Sequence, residues 1–201
     1  ASRNIIGGRA PGDGNVIAWN GGAGVAVGLS PAPYGMENLV AGNRIYWNGG
    51  LGIDLGNDGV TPNDAGDGDN GPNRLQNYPR LATVTTDRSL TVPTNRFEWV
   101  LNSLPNTYYL DRYANASPDP PGYSGYGEGD TYLGFALVTI TDTGNVTYTY
   151  ATTQTYVALT AADRLGNTSE FSWNAYPSVN EVTFLEPQYP SFNSLATVTT
   201  T

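Results

Sequence analysis

Residues 43–56 have the sequence NRIYWNGGLGIDLG, and residues 15–28 have the similar sequence NVIAWNGGAGVAVG. Eight of the fourteen positions are identical at an offset of 43 − 15 = 28 residues. Each copy joins short apolar runs through Asn and Gly, the residues that most readily adopt the positive φ of tight corners. A further apolar run precedes each copy, beginning at Asn4 and at Asn38. Three brief strands per repeat without helical periodicity are typical of a parallel β-helix, so we predict about two coils over residues 1–56.

Two pairs of equivalent residues should meet between the coils. Asn20 and Asn48 occupy the same position in the two copies, so we expect their amides to form a ladder along the coil axis. Trp19 and Trp47 should stack in the same way. Asn is also a common solvated turn residue, and that alternative stays open for Asn20 and Asn48. Neither interpretation makes these residues catalytic.

The composition excludes several classes of function. The 201 residues include no Cys and no His, and all nine basic residues are Arg. Nucleophiles that depend on an imidazole base, thiolate nucleophiles and Lys Schiff bases are therefore excluded. A net charge of −9 at pH 7 opposes binding to phosphate backbones or anionic lipid, so we expect no nucleic-acid partner and no membrane insertion. A Cys-free chain rich in Thr, Asn, Gly and Tyr favours a bacterial extracellular setting.

Residues 57–79 form an Asp- and Gly-rich junction after the repeat. Carboxylates that alternate with glycines suit a hard cation, which is bound by flexible oxygen ligands. We predict a calcium site formed by Asp58, Asp64, Asp67 and Asp69. The junction is not an EF-hand, because it lacks the Glu at the twelfth position and the flanking helices. The alternative is a solvated acidic linker, in which unneutralised carboxylates would repel one another.

From residue 80 onward the hydrophobic period changes to two, which indicates β-strands. Phe97, Trp99 and Leu101 fall on one strand face, and Val146 begins a similar face that continues through positions 148 and 150. Further strands are expected at 80–86, 89–94, 107–115, 131–140, 155–163 and 169–175. Roughly seven short strands in this length predict an Ig-like antiparallel β-sandwich over residues 80–176, with residues 177–201 as a C-terminal extension. The predicted fold class is all-β: a short right-handed parallel β-helix followed by this sandwich.

Several motifs together resemble a known group of proteins. They are the repeat itself, LNSLPNTYYLDRYAN at 101–115, GYGEGDTYLG at 125–134 and AADRLGNTSEFS at 161–172. In this order they resemble the final coils and the following β-domain of large secreted bacterial right-handed β-helix proteins, many of them adhesin-like or surface-associated. The resemblance spans residues 3–173. It implies a secreted or cell-surface location and this architecture more than any activity.

Residues 116–130, ASPDPPGYSGYGEGD, cannot form a central strand, because their prolines remove ladder donors. Aromatic rings near acidic residues suit sugar binding, since ring faces stack on the C–H groups of pyranoses. We therefore name Tyr123, Tyr126 and Tyr132 as candidate ligand-binding residues, with Asp119, Glu128 and Asp130 beside them. The alternative is a Tyr-pinned loop that covers a sheet edge.

Two features predict self-association. The sequence LATVTT occurs at residues 81–86 and again at 195–200, which suggests either the start of a second sandwich or strand addition to another copy; coincidence in a Thr-rich chain is the alternative. Stacked repeats normally need about three or more units and a polar cap, so two coils leave an open edge. The candidate self-association residues are Ile5, Ile6, Leu195 and Val198. The expected partners are other copies of the chain or upstream coils of a longer protein.

These features favour a non-catalytic extracellular structural or adhesive module, including a subunit of a self-assembling surface fibre. The alternative is a polysaccharide-binding or polysaccharide-degrading protein, because parallel β-helices also host lyases and hydrolases that use calcium with Arg or paired carboxylates. Arg44 and Asp54 are the residues available for such chemistry. Two coils offer a short groove for a polymer, so we expect no catalysis.

Overall fold

The structure is a computed structural model that describes residues 1–28, 35–117 and 125–177, together with the backbone of residues 197–200. Its regular elements are almost all β-strands, which confirms the all-β prediction. The one helical element within the described residues is a short 3₁₀ turn at Pro72–Leu75. None of the described residues belongs to a helix of the length and apolarity needed to cross a membrane.

Six strands of three residues each make up the N-terminal part. The first strand set comprises β1 (Ile5–Gly7), β2 (Val16–Ala18) and β3 (Val25–Val27), and the second strand set comprises β4 (Leu39–Ala41), β5 (Arg44–Tyr46) and β6 (Ile53–Leu55). Each strand of the first set pairs in parallel with its counterpart in the second set. The register of β2 with β5 and of β3 with β6 equals the 28-residue repeat offset. The register of β1 with β4 is longer, because Ile5 lies opposite Leu39 at 39 − 5 = 34 residues.

The predicted contacts between equivalent residues of the two sets are confirmed. The Asn20 side-chain amide donates to Asn48 Oδ1 at 2.8 Å. The indole rings of Trp19 and Trp47 stack with centroids 5.5 Å apart and planes 7° from parallel. Two further ladders exist that we did not predict, from Asn4 Nδ2 to Asn38 Oδ1 at 2.6 Å and from Asn15 Nδ2 to Asn43 Oδ1 at 3.0 Å. These amide contacts hold the two strand sets in register.

The C-terminal part, here called the two-sheet region, consists of longer strands. They are β7 (Arg80–Asp87), β8 (Thr94–Ser103), β9 (Asn106–Asn115), β10 (Thr131–Ile140), β11 (Gly144–Thr152), β12 (Tyr156–Ala162) and β13 (Thr197–Thr200). One sheet has the order β11-β8-β7-β13, and the other has the order β10-β9-β12. All pairings are antiparallel except that of β13 with β7, which is parallel.

Two predicted strands differ from the structure. The strand expected at 89–94 is absent, because Asp87 accepts hydrogen bonds from the Ser89 N–H and hydroxyl and turns the chain after β7. The segment expected to be a strand at 169–175 runs along β12 with irregular backbone contacts. Ser169 N–H donates to Ala161 O, and Ala175 exchanges hydrogen bonds with Val157 in both directions. Its donors and acceptors are therefore satisfied without a regular ladder.

The two sheets share one hydrophobic core. Phe97, Trp99 and Leu101 on β8 are buried on one face, as the period of two predicted, and they cluster with Leu110 of β9 and Leu159 of β12. Because these residues come from both sheets, the sheets pack face to face. Burying a side chain of this size stabilises the folded state by roughly 1.5–3 kcal/mol relative to exposure.

A second core joins the strand sets to the two-sheet region. Ile45 and Leu55 of the strand sets cluster with Tyr113 and Phe171 of the two-sheet region, and all four are buried. At the edge of this core, Arg9 pairs with Asp111 through two hydrogen bonds of 2.8 and 2.6 Å. The Asp111 side chain is fully buried, so the pair is a specific link between the two parts of the chain.

Candidate functional site

The two-sheet region covers one edge of the second strand set. The three strands of this set each receive a partner: Val40 N–H donates to Thr168 Oγ1 at 3.0 Å, Ile45 exchanges hydrogen bonds with Gly129 at 2.8 Å in both directions, and Leu55 N–H donates to Glu170 Oε1 at 2.9 Å. Buried backbone donors require such partners. Within the described residues, β1, β2 and β3 each pair with one strand only, so the opposite edge of the first strand set carries no such cover.

The cover also extends the asparagine ladders. Glu128 Oε1 accepts hydrogen bonds from the Asn48 backbone at 3.1 Å and from the Asn48 side chain at 2.9 Å. Asn73 Oδ1 likewise accepts from the backbone N–H of Asn38 at 3.0 Å. Burial raises the pKa of Glu128, although the hydrogen bonds from Asn48 oppose that shift. The two-sheet region and the junction thus supply hydrogen-bond partners for Asn48 and Asn38 of the second strand set.

Glu170 is a deeply buried acid that contacts the second strand set. Besides Leu55, it accepts from Thr61 N–H at 2.9 Å and from the Thr61 hydroxyl at 3.3 Å. Burial raises the pKa of Glu170 to about 8, and the negative charge of Asp54 adds to the shift. Neither Thr168 nor Glu170 was a candidate at the sequence level. Each lies more than a hundred residues from the strand it binds, and the motif that contains both carried no local sign of that contact.

The structure brings three of the four predicted calcium ligands together. One carboxylate oxygen from each of Asp64, Asp67 and Asp69 lies within 4.8 Å of the others. A calcium ion holds its oxygens at about 2.3–2.6 Å, so ligands on opposite sides of one ion are roughly this far apart. Asp64 Oδ1 and Asp69 Oδ1 are shielded from solvent and have no hydrogen-bond partner among the described residues. We call these three residues the acidic cluster.

The neighbours of Asp67 fix the acidic cluster to the two-sheet region. Asp67 Oδ1 accepts from Asn77 N–H at 2.9 Å, and Oδ2 accepts from Gln76 Nε2 at 2.6 Å and from the Ser103 hydroxyl at the end of β8. Burial raises the pKa of Asp67 to about 6 against these hydrogen bonds. Burial, followed by the charges of the other two carboxylates, raises the pKa of Asp69 to about 6 as well. Crowded carboxylates of this kind are stabilised by a counter-cation.

Asp58 lies outside the acidic cluster. Its backbone N–H donates to Asp54 Oδ1 at 3.2 Å, and Gly59 N–H donates to Asp54 Oδ2 at 3.3 Å, so the turn after β6 folds back onto Asp54. The hydrogen bond from Thr61 to Glu170 anchors the chain between this turn and Asp64. The carboxylate at position 58 is thereby separated from those at positions 64 to 69.

The predicted ligand-binding tyrosines, where the structure describes them, make contacts within the protein. Tyr126 is buried, its hydroxyl accepts from the Tyr78 hydroxyl at 3.1 Å, and its ring packs edge-on against Trp173. Tyr132 is half-buried and donates from its hydroxyl to Asp111 at 2.9 Å. Tyr123 and Asp119 lie outside the described residues. The two described rings therefore take part in packing rather than presenting open faces.

The remaining candidates fall in several places. Ile5 on β1 is 73% exposed, whereas Ile6 is partly buried against the second core. Val198 lies on β13 opposite Val84, and Leu195 lies outside the described residues. Arg44 pairs with Asp130 at 2.9 Å, whereas Asp54 accepts a hydrogen bond from the Asp58 N–H in the turn after β6. Arg44 and Asp54 therefore take part in separate contacts.

Comparison of the sequence with known protein families and with curated proteins finds no match. Conclusions about function therefore depend on the geometry described above.

Proposed function

We propose that the chain is a non-catalytic extracellular structural module in which an Ig-like sandwich caps a right-handed parallel β-helix. In this interpretation the two strand sets are successive coils, and the two-sheet region is the cap. The observation that carries the proposal is that every strand of the second set has a hydrogen-bond partner in the two-sheet region. Thr168 accepts from β4, Glu170 accepts from β6, and Gly129 exchanges hydrogen bonds with β5. A regular stack needs such a cover only where it ends.

The uncovered edge favours a partner of the same kind. Ile5 and Val16 are 73% and 62% exposed on strands whose far edges carry no partner among the described residues. Exposed parallel edges with apolar side chains associate with further strands unless they are covered. The partner that fits the 28-residue register and the asparagine ladders is another coil, from the same polypeptide or from a second copy.

Calcium at the acidic cluster is the second part of the proposal. The cluster joins the junction to the end of β8 through Asp67 and Ser103, so a bound ion would neutralise its charges and fix the junction against the cap. The two shielded carboxylate oxygens without partners provide the open ligand positions. Extracellular modules bind calcium with dissociation constants of about 10⁻⁴ to 10⁻³ M, which is the affinity we expect here.

Strand addition is a further route to assembly that the tail favours. The two LATVTT copies align with each other in the pairing of β13 with β7, since Thr197 lies opposite Thr83 and Thr200 lies opposite Thr86. The tail of a second copy has the same sequence, so it fits beside β7 in the place that β13 occupies here. A surface fibre built from such contacts would use the capped stack as its repeating unit.

Duplication of one coil tests the capping proposal. Repeating residues 15–42 in tandem inserts a 28-residue unit between the two existing coils and keeps the cap. Because the stability of stacked repeats is approximately a sum of unit and interface contributions, we expect a higher Tm, by about 2–4 °C for each kcal/mol gained. An insertion of the same residues in scrambled order is the control. If the ordered and scrambled insertions lower the Tm equally, the strand sets are not stackable coils.

A further inference from the structure

A cleft of about 440 Å³ lies between the strand sets and the two-sheet region. Its lining includes Trp19, Tyr46 and Trp47 from the strand sets and Asn115, Glu128 and Asp130 from the two-sheet region. The volume falls in the range of about 300–1,000 Å³ that is usual for sites of small organic ligands. The cleft thus combines aromatic rings with hydrogen-bonding groups.

The two tryptophans are unusual for the corner that they occupy. Trp19 and Trp47 have φ values of 61° and 57°, a left-handed conformation that strains bulky residues and that Gly or Asn adopts more readily. They are nevertheless 74% and 55% exposed. The stacking contact between the rings is a smaller contribution than the strain at two such corners. Neither the turn nor core burial accounts for tryptophan at these positions, and strained exposed residues are frequent at ligand sites.

Stacking leaves part of each indole available to a ligand. The rings are parallel to within 7° with centroids 5.5 Å apart, and Trp19 and Trp47 remain 74% and 55% exposed, so the contact between them covers only part of each indole. Aromatic faces of this kind attract the C–H groups of sugar rings, and the cleft adds polar partners at Asn115 and Ser117. Aromatic contacts supply the affinity in such a site, and a few polar groups fix the orientation of the ligand.

Electrostatics selects the class of sugar. The net charge of −9 and the carboxylates of Glu128 and Asp130 in the cleft oppose an acidic polysaccharide. A cationic ligand is also disfavoured. Asp130 already pairs with Arg44 at 2.9 Å, and the guanidinium of Arg44 lies 5.1 Å from the centre of the Tyr46 ring that lines the cleft. A neutral ligand meets neither conflict.

We infer that the cleft beside the stacked Trp19 and Trp47 binds a neutral glycan, with the exposed indole surfaces that line the cleft as its sugar platform. The inference does not depend on the capping proposal, since it requires only this corner and the facing residues. It also differs from the ligand-binding tyrosines predicted from the sequence: of the two that the structure describes, Tyr126 lines the cleft and Tyr132 does not.

The test titrates the intact chain with neutral hexasaccharides of β-1,4-glucan, β-1,3-glucan, β-1,4-xylan and chitin, followed by tryptophan fluorescence. Trp99 is fully buried, and Trp173 is partly buried against Tyr126 and does not line the cleft, so the exposed pair should give most of any change caused by a ligand. We expect at least one neutral hexasaccharide to shift the emission to shorter wavelength. Trp47→Asn, which tolerates the left-handed corner, should weaken that binding by roughly tenfold or more, since 1.4 kcal/mol corresponds to a factor of ten.

Leu165→Asn is the matched control, because Leu165 is 56% exposed and does not line the cleft. It should bind the glycan as the wild type does, and thermal unfolding should show that both variants are folded. The inference is overturned if no neutral hexasaccharide shifts the emission, or if Trp47→Asn binds as tightly as Leu165→Asn. Binding of polygalacturonate or of an arginine-rich peptide in preference to every neutral glycan would also overturn it.

Discussion

Asp67 receives hydrogen bonds from Asn77 within the junction and from Ser103 on β8, whereas one oxygen of Asp64 and one of Asp69 receive none from the described residues. The spacing of these aspartates was visible in the sequence, and a short Gly-rich loop allows such residues to converge. The separation of Asp58 was not visible, because it depends on Thr61 binding a glutamate 109 residues away. The convergence of the three aspartates could therefore be predicted from the sequence, whereas the exclusion of Asp58 from the cluster could not.

Replacing Asp64 and Asp69 together by Asn should remove the response to calcium. With the expected affinity, about 10 mM calcium stabilises the wild type by roughly 1.4–2.7 kcal/mol, or about 3–10 °C in Tm. The double variant should lose most of that increase. In chelator it should be at least as stable as the wild type, because mutual repulsion among the carboxylates is relieved. Scanning calorimetry with and without calcium measures both effects.

Asp58→Asn supplies the control for that experiment, since it removes a nearby carboxylate that lies outside the acidic cluster. Its calcium response should match that of the wild type. An equal loss of Tm by the double variant in calcium and in chelator would show that these aspartates stabilise the junction without an ion.

At the scale of elements, alternation and repetition were informative because they are local. The core face of β8 followed from Phe97, Trp99 and Leu101, and the ladder of Asn20 with Asn48 followed from the repeat. The cover over the second strand set did not follow. Glu170 lies in a segment that pattern alone presents as an ordinary strand, and Thr168 comes directly before it. Their partners on β4 and β6 are set only by the packing of the whole chain.

The buried carboxyl of Glu170 should make stability depend on pH. Its pKa is raised from 4.5 to about 8 by burial, with a contribution from Asp54. The unfolded chain therefore releases this proton above pH 4.5, whereas the folded chain keeps it until about pH 8. The stabilisation is complete below pH 4.5 and is lost as pH rises to about 8, so the free energy of unfolding should fall across this interval.

Glu170→Gln should reduce the slope of that dependence, because the variant has no proton to lose at this position; the raised pKa values of Asp67 and Asp69 account for the slope that remains. Denaturant unfolding between pH 5 and pH 8 in chelator, where no cation complicates the acidic cluster, measures the slope for each protein. Glu98→Gln on β8 controls for the loss of one carboxylate. Identical slopes for the wild type and Glu170→Gln would show that this group does not couple folding to protonation.

At the scale of the whole molecule, the short parallel strands that end at Leu55 and the longer strands that begin at Arg80 share a core. Ile45 and Leu55 pack against Phe171, and Arg9 pairs with the buried Asp111 across 102 residues. Removing one member of a buried ion pair typically costs about 3–5 kcal/mol, so this single contact contributes much of the free energy that holds the two parts of the chain together. The sequence indicated two kinds of structure but could not show that they pack as one.

Amide hydrogen exchange under native conditions tests the central claim, that the two-sheet region caps the strand sets. If it does, the amides of Val40, Ile45 and Leu55 are released only when the cap opens. They should then exchange with the same free energy of opening as the amides of the core strand β12 that pair with β9. If the three amides exchange with a much lower free energy of opening than those β12 amides, the account is contradicted.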